Sequence, residues 1–340
     1  MYLNIIPIII KFDKGKEVRI KQYVLNVKEY GITGIIAIFA KPKTRINIID
    51  NKDKNMKIAF IGTGNMGGAI VKGLIKSGTC SPEDIICTSK TEATLDKLRQ
   101  YNDKLCVCRD NKEAVSKSDI IVLAVKPWLV SEVIDEIRPV VNLKRQIIVS
   151  VAAGISLKEL TSLLVPDYEL HEIERINADI EEREPIFPEG FAEPILFRVV
   201  PNTAAEVLES VTFISARGAN EEQRALMCQL FSSIGYTMMI DEKLIPSATS
   251  LASCGIAFAM RYIRAAMEGG VELGFRPKEA ACIVEHTVKG AAMLLLNNSM
   301  HPEAAIDKVT TAGGITIKGL NAMERAGFTN AVIEGLKASR

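Results

Sequence analysis

From Ile61 to Gly68 the chain reads IGTGNMGG, a G-x-G-x-x-G pattern that follows the apolar run KIAFIG and opens a helical pattern. Each glycine has its own task in such a loop. Gly62 permits a tight turn, Gly64 lets a pyrophosphate approach the backbone, and Gly67 lets helix and strand pack closely. Thr63, Asn65 and Met66 complete the loop. The helix N-terminus behind it offers free N–H groups and the positive end of a dipole to phosphate. The chemistry implied is dinucleotide binding.

Which dinucleotide depends on the end of the second strand, where an NAD site carries an acid about 20 residues on. Here that strand ends CTSKTE, with Ser89 and Lys90 in the acid's place. A hydroxyl and a cation suit a 2′-phosphate, so NADP(H) is expected. Glu92, slightly further on, keeps NAD(H) as the alternative. Three other strand ends carry small or special residues: AVKP (Ala124–Pro127), AAG (Ala152–Gly154) and VPNT (Val200–Thr203). Ligands of open α/β sheets gather at such ends. Ordinary βα-loop chemistry also favours these residues. A last stretch, KVTTAGGITIKGL from Lys308 to Leu320, sets two adjacent glycines between helical patterns. It reads either as a turn or as a ligand-holding loop.

The elements that must position these residues alternate. After KIAFIG come a helix from about Met66 to Ser77, strand IICTS, helix EATLDKLRQ, strand CVC and helix KEAVSKS. DIIVLAV, WLVSEVIDEI, QIIVSV and SLKELTSLL continue the alternation. The strands are apolar throughout, as a sheet covered on both faces requires. This order predicts a Rossmann-type, doubly wound parallel sheet over residues 56–241. A stretch rich in acids and prolines, about 165–194, reads as an insertion. ILFRVV, VTFISA and YTMMID read as further strands. Beyond about Asp241 only helix is expected, so residues 242–340 form a separate all-helical domain. Leu244–Met260 carries no charge and many small residues. Burial against another subunit accounts for it better than a membrane span, because a proline and several hydroxyls interrupt it.

Composition sets bounds. The formal net charge is +1 over 340 residues, which gives no general attraction to nucleic acid or anionic membrane. Seven cysteines form no paired framework, and His171, His286 and His301 are scattered, so no metal site is expected. Cysteine usage of this kind points to a reducing cytoplasm. The apolar runs LNIIPIIIKF and GITGIIAIFA are too short to span a bilayer. Their β-branched residues suggest strands. The domain pattern opens at Met56, so residues 1–55 read as an appendage of uncertain status, upstream sequence translated from an early start. The alternative is a β element packed on the domain.

Together, IGTGNMGGAI, NKEAV…SDIIVLAVKP, SVAAGIS, VPNTAA and TTAGGITIKGL…AGF resemble pyrroline-5-carboxylate reductase, in order from Met56 to about Ala338. The resemblance implies an NADP-type Rossmann domain joined to a helical dimerisation domain. It implies NADPH-dependent reduction of 1-pyrroline-5-carboxylate to L-proline by a homodimer or higher homo-oligomer. It also places Asn111 at the cofactor ribose, Ala124, Val125, Lys126 and Pro127 beside the nicotinamide ribose, and Ala153 and Gly154 in a second cofactor loop. Glu242 falls at the acidic position beside the family's substrate site. Gly314, Ile315 and Thr316 match the substrate loop. Backbone N–H groups there would take the substrate carboxylate. Thr316 would face the ring nitrogen as the catalytic residue. The family's SGSGPAY stands here as ASCGIAF, Ala252–Phe258, its SPGGTT as TAGGIT and its MPN as VPN. Those changes leave two other readings: a related imine or keto-acid reductase, or a non-catalytic NADP-binding regulatory paralogue.

Overall fold

The computed structural model describes residues 7–11, 17–21, 56–165 and 193–340. The chain divides into two compact units, Met1–Ile245 and Pro246–Arg340. Near the start, β1 (Pro7–Lys11) and β2 (Glu17–Lys21) pair as an antiparallel hairpin. The first apolar run thus contains a strand. The second run, and residues 166–192 of the acidic stretch, lie outside the described residues.

The first unit is built on an eight-stranded sheet. Its strands are β3 (Ile58–Ile61), β4 (Ile85–Thr88), β5 (Cys106–Cys108), β6 (Ile120–Leu123), β7 (Ile147–Ser150), β8 (Ile195–Val200), β9 (Ser210–Arg217) and β10 (Gly235–Met239). The spatial order is β10-β9-β8-β7-β6-β3-β4-β5. From β5 to β8 this is the doubly wound order, which reverses direction between β3 and β6.

Side chains along each central strand alternate between two cores. Ile58, Phe60, Ile85, Cys87, Ile120, Val122, Ile147 and Val149 face one way. They meet α1 (Asn65–Ser77), Leu98 of α2 (Glu92–Tyr101), and Met227, Leu230 and Phe231 of α6 (Glu221–Ser232). Ala59, Ile61, Ile86, Ile121, Leu123 and Ile148 face the other way. Their partners are α3 (Asn111–Ser116), α4 (Val130–Ile137) and α5 (Leu157–Leu164). Continuous apolar strands are what a sheet buried on both faces needs. Local chemistry starts the helices. Asp110 accepts from the N–H groups of Lys112 and Glu113 to cap α3, and Ser156 accepts from Glu159 N–H to cap α5.

The expectation of a parallel sheet needs one correction. β9 runs antiparallel to β8, and β10 is parallel to β9. A parallel return needs a crossover of a dozen or more residues. The connection from β8 to β9 holds only a short 3₁₀ turn, Thr203–Val207. Too short to cross the sheet, it turns the chain back on itself.

The second unit contains only helices: α7 (Gly255–Glu272), α8 (Pro277–Asn298), α9 (Pro302–Lys308), α10 (Ile315–Arg325) and α11 (Phe328–Ala338). A π-helical turn, Thr249–Cys254, leads into α7. α7 and α8 touch closely where a Cβ on Gly270 would lie 3.0 Å from that of Ala280. Tyr262 and Phe328 meet edge to face at 6.3 Å. From Gly255 onward Ala280 is the one buried residue, whereas Leu273 is 83% and Leu296 76% exposed. The helical run Glu242–Glu272 is also long and apolar enough to cross a membrane, by length and composition alone.

Candidate active site

The glycine loop sits at the reversal between β3 and β6. Gly62 leaves β3 with φ +88°, and a Cβ there would lie 2.6 Å from Val125 Cγ1. A Cβ on Gly67 would lie 2.5 Å from the Gly62 carbonyl oxygen and 3.1 Å from Ala124 Cβ. Two of the three glycines therefore exist because the loop after β3 and the loop after β6 are pressed together. Gly64 is different. A Cβ there would meet nothing within 4 Å. It is the N-cap of α1, with no side chain capping that helix. Asn65 and Met66 form the first turn of α1. An open backbone face at an uncapped helix start fits a pyrophosphate.

Behind this cradle the chain is tied to β4. Thr63, 3% exposed, donates to the Thr88 carbonyl through both its N–H and its hydroxyl, each at 3.0 Å. Gly62 N–H donates to Thr88 Oγ1 at 3.3 Å, and that hydroxyl donates to Asn111 Oδ1 at 2.7 Å. Asn111 in turn donates through Nδ2 to Glu136 at 2.8 Å. Asn111, expected at the cofactor ribose, is thus held in place at the start of α3.

The loop after β4 carries Ser89 and Lys90. Lys90 Nζ pairs with Glu132 of α4 at 2.9 Å, and Ser89 Oγ accepts from Thr91 N–H. Glu92, the residue that kept NAD(H) open, pairs with Arg99 at 2.6 Å. Arg109, at the end of β5, donates through Nη2 to the Lys90 carbonyl at 3.1 Å. Sequence reasoning missed Arg109, Glu132 and Glu136. The signals available were a cation directly after a strand and two acids spaced i, i+4 on the helix that follows AVKP.

The loop after β6 continues the sheet's hydrogen bonding, Ala124 N–H donating to Ile61 O at 2.9 Å. Pro127 opens a 3₁₀ turn, and the Lys126 ammonium stands 6.0 Å from the ring centre of Trp128. Trp128 is the chain's single tryptophan and is 75% exposed. After β7, Ala153 is exposed and Gly154 turns with φ +82°, with no atom within 4 Å of an added Cβ. VPNT is more structural. Asn202 is 3% exposed, and its side chain accepts from Ala204 N–H to start the turn into β9.

Glu242 also has a local role within the first unit. One carboxylate oxygen accepts from Leu157 N–H at 2.7 Å and from Arg198 Nη1 at 2.9 Å. Arg198 is 11% exposed along its side chain, and its Nε is buried without a partner among the described residues. This pair staples the end of the sheet domain to β8 and the start of α5.

The glycine pair belongs to the second unit. Gly313 turns with φ +70°, and Gly314 N–H donates to Thr311 O at 3.0 Å. Gly314 is the N-cap of α10, again with no side-chain cap. Ile315, 88% exposed, and Thr316 form the first turn. The sequence reading of a helix opening on Gly-Gly holds. Among the described residues, no three His, Cys, Asp or Glu side chains gather as metal ligands.

Known proteins share this arrangement. The family model for pyrroline-5-carboxylate reductase dimerisation matches residues 242–340. One for NADP oxidoreductase, coenzyme F420-dependent, matches residues 57–154. Pyrroline-5-carboxylate reductases 1 and 2 of Dictyostelium discoideum are each 35% identical, over 294 and 300 residues. These alignments span 83% and 84% of this chain, 48% of the first relative's length and 91% of the second's. The solved structure of a pyrroline-5-carboxylate reductase from Coxiella burnetii is 25% identical, with a TM-score of 0.70. It covers 84% of this chain and 96% of its own. On the sequence motifs, the two-unit fold and these relatives, the chain belongs to the pyrroline-5-carboxylate reductase family.

Proposed function

We propose that this protein reduces 1-pyrroline-5-carboxylate to L-proline with NADPH, the last step of proline biosynthesis. One observation carries the reading beyond family membership. The chain keeps both an open glycine cradle at the β3/β6 reversal and an uncapped Gly-Gly helix start in a separate helical unit. A dinucleotide-binding module alone needs only the first.

Bound in the cradle, NADPH supplies the hydride that goes to the imine carbon. The chain's own residues do the rest. N–H groups of α1 hold the pyrophosphate, Asn111 and Ala124–Pro127 hold ribose, and Ala153–Gly154 leave room for the nicotinamide. Ser89 and Lys90 favour the 2′-phosphate, and the engagement of Glu92 by Arg99 removes the competing acceptor for a free ribose diol. N–H groups at Ile315 and Thr316, next to the Gly314 turn, take the substrate carboxylate. Thr316 Oγ1 accepts from the protonated ring nitrogen. A cyclic imine is basic enough to arrive protonated, so no strong general acid is required. His286 is exposed, its Nδ1 2.8 Å from the Cys282 carbonyl of its own helix, and neither it nor Cys254 is needed for the chemistry. Glu242 keeps one carboxylate oxygen for the substrate while the other holds Arg198 and Leu157.

The exposed apolar faces of the second unit support assembly as a homodimer or higher homo-oligomer. Apolar surface on this scale marks an interaction site, and the matching family model is a dimerisation domain. The helix Glu242–Glu272 is an interface element on this reading, not a membrane span. Free thiols at all seven cysteines suit the cytoplasm.

The test is NADPH consumption with 1-pyrroline-5-carboxylate beside a panel of other cyclic imines and 2-keto acids. Turnover confined to the panel would assign the chain to a related reductase, the reading that the altered ASCGIAF segment favours. Tight NADPH binding with no turnover on anything would make it a regulatory paralogue.

A further inference from the structure

We propose that Arg109 is the residue that selects a 2′-phosphorylated dinucleotide; the inference rests on the NADP(H) reading above. In a doubly wound sheet the 2′ substituent lies at the carboxyl end of the second strand, here β4. β5 pairs with β4 in parallel, with Thr88 opposite Cys108. Arg109 therefore leaves β5 level with Ser89, the first residue past β4. Its guanidinium is anchored on the same loop by the bond from Nη2 to the Lys90 carbonyl at 3.1 Å.

The two cations at this strand end are not equivalent. Lys90 is neutralised by Glu132 at 2.9 Å, and a phosphate would have to displace that carboxylate. Arg109 has no carboxylate within ion-pair distance among the described residues. Its neighbour Asp110 is committed through Oδ1 to the N–H groups of Lys112 and Glu113. With Lys90 paired to Glu132 and the Asp110 carboxylate turned onto its own helix start, Arg109 is the cation of this corner that no carboxylate holds among the described residues. A guanidinium also has five N–H donors in a planar fork that matches phosphate. One is spent on the Lys90 carbonyl, which fixes the group without using its remaining donors. A lysine shared with a carboxylate offers less of its charge and no planar fork, so Lys90 adds less than Arg109.

The experiment measures binding rather than turnover. Calorimetry compares 2′,5′-ADP with 5′-AMP, which differ by the 2′-phosphate alone, on the full chain and on Arg109→Gln, Arg109→Lys and Lys90→Gln. Arg109→Gln is expected to weaken 2′,5′-ADP by about 10- to 100-fold, the range of a lost charge-assisted contact. It should leave 5′-AMP unchanged. Arg109→Lys should recover part of the loss, and Lys90→Gln should weaken 2′,5′-ADP far less than Arg109→Gln. Equal losses for both nucleotides in Arg109→Gln would make Arg109 a loop anchor only and overturn the proposal. So would a larger effect at Lys90. If the unmodified protein binds 5′-AMP as tightly as 2′,5′-ADP, the NADP(H) reading itself fails, whatever Arg109 does.

Discussion

Gly64 and Gly67 lie on the same loop, yet alanine should act on them in different ways. At Gly67 the added methyl would sit 2.5 Å from the Gly62 carbonyl oxygen and 3.1 Å from Ala124 Cβ. The carbonyl is backbone and cannot step aside. Overpacking of this kind costs about 1–3 kcal/mol, or roughly 2–12 °C in Tm for a domain of 150–250 residues, the size class of the first unit. At Gly64 the methyl meets nothing within 4 Å, and φ is −68°. Alanine fits there sterically, and its poorer N-cap roughly offsets the reduced freedom of the unfolded chain, so stability should change by less than about 1 kcal/mol. The cost of Gly64→Ala appears only with ligand, because the methyl stands where the pyrophosphate must approach. Losing one charge-assisted hydrogen bond costs about 1.5–3 kcal/mol, a roughly 10- to 150-fold rise in Kd for NADPH. Trp128, beside the loop after β6, provides the fluorescence signal for the titration, and a thermal melt gives stability. Gly64→Ala protein that binds NADPH as tightly as the unmodified chain would refute the cradle.

Three further outcomes are expected. Thr316→Val should lower kcat/KM by about 5- to 150-fold, the cost of a missing hydrogen bond, with NADPH affinity unchanged. A less stable but fully active variant would make Thr316 a helix-start residue only. Glu242→Ala strips the carboxylate from Arg198 and the acceptor from Leu157 N–H. It should destabilise by about 2–4 kcal/mol in denaturant, below the figure for a fully buried pair because Glu242 remains 30% exposed. Unchanged stability would show that the staple carries no weight. Burial, then the nearby Cys108 and Cys106, pushes the Cys87 thiol from 9.0 up to about 12. Its folded pKa lies above the unfolded one, so it contributes no pH dependence below about pH 9 and loses stability as pH rises from there toward 12. Iodoacetamide should label exposed Cys106 first and Cys87 only on unfolding. Labelling of native Cys87 near pH 8 would contradict its burial.

What could be read in advance was local. The run of apolar strands and the division of labour among Gly62, Gly64 and Gly67 follow from short-range sterics and hydrogen bonding, which a few residues encode. Strand direction does not. Nothing in VTFISA says that it runs against ILFRVV, and only the shortness of the connection does. Ion pairs are equally silent. Lys90 looked free because Glu132 lies 42 residues away in sequence, and the pairing of Glu242 with Arg198 is as hidden, 44 residues apart. The second unit's apolarity was visible in Leu244–Met260. The partner that covers it belongs to another surface, which one chain's sequence does not name.

Catalysis by this chain rests on hydride transfer from a nicotinamide it holds to the imine carbon of 1-pyrroline-5-carboxylate. The most direct measurement follows deuterium. NADPH labelled at the transferable position of the nicotinamide is incubated with the substrate and the full chain, and the product is examined by NMR. The expected product is L-proline carrying one deuterium on carbon 5, the former imine carbon, in step with NADPH consumed. Unlabelled proline, or NADPH consumed without proline, would contradict it.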